Sequence, residues 1–92
     1  MNQLTLDKAR AIEVPPRFKA YWEMLGTCPM SLQRSTAEAF ARSVGFDATI
    51  VKGNLVFSRQ GYPRLVMHMP HGHQFTSGRV KIFIRFFKQF II

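Results

Sequence analysis

Apolar positions Phe18, Tyr21, Trp22 and Leu25 recur at i, i+3, i+4 and i+7, the spacing of one helix face. Pro15 and Pro16 stand just before or at the first turn of that helix, and Gly26 supplies its C-terminal cap. Residues 1–14 show no firm period. Thr27 to Met30 reads as a connection, because Pro29 bars helix continuation. A second helix follows. Ser35-Thr36-Ala37-Glu38 has capping-box spacing, while Ser31 is a competing start, since Leu32, Thr36, Phe40 and Val44 also keep one face. From either start this helix ends at Gly45, a residue suited to positive φ.

After Asp47 the pattern turns to β-branched and aromatic residues. Thr49, Ile50 and Val51 predict one strand and Leu55, Val56 and Phe57 another, joined by a turn at Gly53-Asn54. Gln60-Gly61-Tyr62-Pro63 predicts a second turn, and Arg64 to Met69 a third strand. On that strand Leu65, Met67 and Met69 share one face, while Arg64, Val66 and His68 share the other, turned to solvent or a ligand. Pro70-His71-Gly72-His73 opens a loop running to Ser77-Gly78. From Arg79 two periods coexist: Val80, Ile82, Ile84 and Phe86 alternate as in a strand, whereas Val80, Phe83, Ile84, Phe87, Phe90 and Ile91 fall on one helical face. Helix is preferred, because Lys81, Arg85, Lys88 and Gln89 form a matching polar stripe, with a fourth strand as the alternative. The expected class is α+β, a small antiparallel sheet of three or four strands packed with two to three helices.

Length and composition narrow this further. Ninety-two residues fit a single domain, here a 1–30 extension with one short helix followed by 31–92 as helix, three strands and terminal element. With 47% hydrophobic residues, nine Phe and only 20% charged residues, the chain is that of a packed globule. Cys28 is the only cysteine, so no internal disulfide framework exists and a reducing, cytoplasmic setting is expected. The first residues carry Asp7 and Glu13 without the apolar core of a signal peptide, and no long uncharged apolar run predicts a spanning helix.

The net charge of +8 is unevenly spread. Residues 1–47 hold six basic and five acidic residues; residues 48–92 hold Lys52, Arg59, Arg64, Arg79, Lys81, Arg85 and Lys88 and no acid. About one residue in eight is acidic in an average chain, so an acid-free stretch of this length is uncommon. It predicts a surface for phosphate or for an acidic protein.

Several short motifs resemble the HicA toxin family: Val44-Gly45-Phe46 closing the helix, Lys52-Gly53 before the second strand, Val56-Phe57-Ser58-Arg59 within it, Pro70-His71 after the third, and Gly78 before the terminal helix. The resemblance covers residues 31–92. It implies a double-stranded-RNA-binding-like fold and mRNA cleavage. The family motif Gly-Ser-His, whose His is expected to do the chemistry, reads Gly53-Asn54-Leu55 here. Leucine cannot move a proton, so the resemblance implies an RNA-holding scaffold without that cleavage mechanism. In length and charge the chain is also similar, as a class, to small phage-encoded anti-CRISPR proteins.

The candidate nucleic-acid contacts are therefore Lys52, Arg59, Arg64, Arg79, Lys81, Arg85 and Lys88 for phosphate, with His68, His71 and His73 beside them. Tyr62, Phe57 and Phe75 are candidates for stacking on unpaired bases, Phe57 being more at home in the core. His68-x-x-His71-x-His73 has the look of a metal site or of an acid–base pair on RNA, yet no acid lies beyond Asp47 to complete a ligand set. Neither catalytic residues nor a metal or cofactor are expected. The apolar end from Phe86 is expected to dock into the core rather than a membrane. The expected function is binding: a non-catalytic basic protein that engages RNA or an RNA-guided ribonucleoprotein and blocks it, as an anti-CRISPR inhibitor blocks a Cas–crRNA complex. The alternatives are a HicA-like toxin using one of the three histidines, and an inhibitor that recognises an acidic protein surface.

Overall fold

The computed structural model of the protein describes residues 11–69 and 72–91. Its elements are α1 (Pro16–Leu25), β1 (Ser31–Gln33), α2 (Arg34–Ser43), β2 (Asp47–Val51), β3 (Asn54–Ser58), β4 (Leu65–His68), β5 (Gln74–Thr76) and α3 (Ser77–Lys88). The expected α+β class forms. Strands β2-β3-β4 make one antiparallel sheet, and β1 pairs with β5 in a separate ribbon.

Alternation along the strands decides which sheet face is covered. Leu55 and Phe57 on β3 and their register partners Met67 and Leu65 on β4 are buried, whereas Val66 remains 56% exposed. Helix α3 lies on the covered face, with the rings of Phe83 and Phe87 5.6 and 6.1 Å from Phe57. Phe40 of α2 reaches the same two rings at 6.1 and 5.6 Å. Helix α1 then stacks Trp22 on Phe40, centroids 5.3 Å apart and nearly parallel. The terminal segment is thus a helix: Val80, Phe83, Ile84, Phe87 and Phe90 are all buried, and a strand would have split this set between two faces.

Four local readings are corrected. The Ser35–Glu38 capping box does not form: α2 starts at Arg34 with Gln33 as N-cap and no side-chain cap bond, and Glu38 is drawn to the Arg34 guanidinium at 2.7 Å instead. Gly26 does supply the C-cap of α1, as expected, in a right-handed conformation, and the left-handed residue after that helix is Cys28 at φ 54°. Most of the loop expected between Pro70 and Gly78 is occupied by β5 and the start of α3. Ser31–Gln33, weighed as a possible beginning of α2, is its partner strand, with Leu32 opposite Phe75.

The fourth correction concerns the hairpin. Val51 faces Asn54, so the two-residue loop is Lys52-Gly53, one residue earlier than expected. Both have positive φ, 51° and 79°, as a type I′ turn requires. Lysine tolerates that region poorly and asparagine well. Lys52→Asn is expected to raise stability by about 0.5–1 kcal/mol, read as a higher urea midpoint at unchanged slope.

Tyr21 shows a cost of the α1 contact. Its hydroxyl is buried and has no hydrogen-bond partner among the described residues, and burial pushes its pKa up to about 12. The folded state resists forming phenolate, so this contribution is intact below the ordinary value near 10 and lost as pH rises toward 12. Tyr21→Phe is expected to keep or slightly raise stability at neutral pH, and to flatten its fall between pH 10 and 12 in alkaline denaturation.

Candidate nucleic-acid interface

The acid-free half is folded so that its cations stay outside. Phe83 and Phe87 aim α3 at the sheet, which leaves Lys81, Arg85 and Lys88 exposed on the far side of the helix. At 1.5 Å per residue they stand about 6 and 4.5 Å apart along the axis. Arg85 and Lys88 lie in the last turn, where they also complement the partial negative charge of the helix end. Arg79, in the first turn, is half-buried.

Arg64 and His68 are exposed on the open side of the sheet with Val66 between them, and Lys52 is exposed at the hairpin tip. They do not join the α3 stripe. The sheet lies between the two groups, so the one surface expected of the acid-free half resolves into a helix face and a sheet face.

Arg59 has a different task. Its Nη1 donates to the Val44 carbonyl at 2.8 Å, at the C-terminal end of α2, and its guanidinium lies 4.9 Å from the Tyr62 ring centroid. To get there it crosses Gly45, whose φ is 90°; a Cβ at that position would lie 2.8 Å from Nη1. This gives the Val44-Gly45-Phe46 and Ser58-Arg59 motifs a packing reason. Tyr62 packs edge-on against Phe46 and Phe90 at 5.5 and 5.3 Å, so much of its ring is engaged within the fold.

Phe57 and Phe75 are fully buried and are removed from the stacking candidates. The same holds widely: the exposed large hydrophobic residues are Met24, Met30, Ile50, Val51, Val66 and Ile82, none of them aromatic. His73 is exposed at the ribbon, its carbonyl accepting from the Arg34 N–H at 2.8 Å, and it borders an open depression with Gln33, Arg34, Ser35 and Glu38. His68 sits on the other sheet, and His71 lies outside the described residues. Among the described residues no group of three or more His, Cys, Asp or Glu is placed to hold a metal ion.

Among the described residues, ion pairing is confined to α2. Glu38 accepts from Arg34 at 2.7 Å and stands 3.8 Å from Arg42, at the i,i+4 spacings that favour such pairs. These are the ion pairs among the described residues, so Lys52, Arg59, Arg64, Arg79, Lys81, Arg85 and Lys88 have no acidic partner there. No described helix is long and apolar enough to cross a membrane.

The molecule is therefore a small α+β fold in which the exposed cations of the acid-free half, without an acidic partner among the described residues, lie on one helix face, one sheet face and the hairpin tip. No family model, curated protein or solved structure matches the chain, and its function is argued from its own residues.

Proposed function

We propose that this protein is a non-catalytic binding protein that engages RNA, alone or in an RNA-guided ribonucleoprotein, and acts by occupying that surface. The observation that carries the reading is the exposed Lys81–Arg85–Lys88 stripe, without an acidic partner among the described residues. A polyanion supplies the missing counter-charge and releases its own condensed ions in doing so. With no Phe, Tyr or Trp among the exposed large hydrophobic residues, contact runs mainly to phosphate and sugar rather than to stacked bases. Binding is accordingly tolerant of sequence, and duplex RNA serves at least as well as a single strand. Blocking a Cas–crRNA complex in a bacterial cytoplasm is the particular role that suits this chemistry.

The test replaces Lys81, Arg85 and Lys88 together with Gln, which removes charge while preserving helix propensity. Fluorescence anisotropy with a labelled RNA duplex is expected to show at least about tenfold weaker binding, and the RNA is expected to remain intact on a denaturing gel. Equal affinity of the variant would reject the α3 face. Cleavage abolished by His73→Ala or His71→Ala would reject a non-catalytic role in favour of a HicA-like nuclease.

A further inference from the structure

We propose that the outer edge of β4 is a docking site for an extended acidic segment of a partner protein, which joins the sheet as a fourth strand beside Arg64, Val66 and His68. The phase of the ladder makes the edge available. Leu55 pairs with Met67 and Phe57 with Leu65, and the Met69 N–H donates to the Gly53 carbonyl at 3.4 Å. Hydrogen-bonded pairs alternate along an antiparallel ladder, so Met69, Met67 and Leu65 spend their backbone groups on β3. The N–H and C=O groups of Val66 and His68 then point away from it. β4 ends the strand order, and among the described residues no element pairs with that side.

The same residues present their side chains on the open sheet face. Val66 is 56% exposed and lies in register with Val56, while Arg64 and His68 flank it as hydrogen-bond donors. A native edge is usually blunted by shortness, charged side chains, a proline or a bulge. β4 has four residues, with Pro63 and Arg64 just before it, but no proline, acid or bulge lies within Leu65–His68. The opposite edge is less open: the outward Ala48 carbonyl of β2 already accepts from Arg42 at 3.3 Å, and β2 carries the acid Asp47.

Charge selects the occupant. A strand with an apolar residue opposite Val66 and carboxylates opposite Arg64 and His68 meets complementary chemistry at all three positions. A second copy of this chain, paired antiparallel about Val66, sets Arg64 against His68 with no carboxylate in the strand. Tyr62 and the His68 imidazole are the rings beside this face, and RNA as its occupant is separated by the displacement arm of the test. The site is independent of the α3 stripe, so its failure leaves the RNA reading standing.

The probe is a fluorescein-labelled heptapeptide, Thr-Glu-Thr-Val-Thr-Glu-Thr, titrated with the full chain. Saturable binding below about 1 mM is expected, weakened about fivefold or more by Arg64→Glu and abolished when the peptide backbone is N-methylated at alternate residues. Equal binding of the N-methylated peptide, or of one with the same residues in scrambled order, would reduce the contact to loose electrostatics and overturn strand addition. So would absence of binding, a free protein that sediments as a dimer through this edge, or an RNA duplex that displaces the peptide and is itself weakened by Arg64→Glu.

Discussion

Phe87→Ala is expected to remove about 3–5 kcal/mol of folding stability, a large share of the roughly 5–15 kcal/mol typical of a domain. Phe87 is fully buried and its ring lies 4.8–6.1 Å from those of Phe40, Phe46, Phe57, Phe83 and Phe86. It is the point where α2, the sheet and α3 meet. Truncation leaves a cavity bounded by flat rings that cannot all tilt inward at once, so the loss combines transfer and cavity costs. Urea denaturation followed by circular dichroism reads the effect. A loss under about 1 kcal/mol would mean that these rings do not form the common core described above.

Gly45→Val is expected to cost about 3–4 kcal/mol, from two separable sources. A β-branched residue at φ 90° is strained whatever its surroundings, by about 1–2 kcal/mol or more. The added Cβ also meets Arg59, and moving that side chain forfeits its hydrogen bond to the Val44 carbonyl. A double-mutant cycle separates the two: in an Arg59→Ala background the same substitution is expected to cost only the backbone strain. Full additivity would contradict the crossing of Arg59 over Gly45.

The elements visible in the chain beforehand are those with local causes. The i, i+3, i+4 spacing around Trp22, the left-handed requirement at Gly45 and the alternation through Leu65, Val66 and Met67 each act within one element. The ribbon of Ser31–Gln33 and Gln74–Thr76 was hidden because each strand has three residues and a single inward side chain, and the partner lies some forty residues away. Glu38 misled for a related reason: capping-box spacing competes with an i,i+4 arginine, and Arg34 took the carboxylate.

Among the candidate contacts, exposure of Lys81, Arg85 and Lys88 followed from helical periodicity once α3 was known to be a helix. The structural roles of Arg59 and Tyr62 did not follow. They depend on Gly45, Phe46 and Phe90, which only the fold brings near. The burial of Phe75 had the same origin, and with that of Phe57 it reduced the expected chemistry from phosphate contact with base stacking to contact mainly with phosphate.

That change is tested most directly by measuring duplex-RNA affinity across salt, from about 50 to 200 mM, for the wild-type chain and for the variant with Gln at positions 81, 85 and 88. Three phosphate contacts predict a slope of log K against log salt of about −2 to −3 for the wild type, and a slope close to zero for the variant. A wild-type affinity that stays level over this range would contradict polyanion binding by the α3 face.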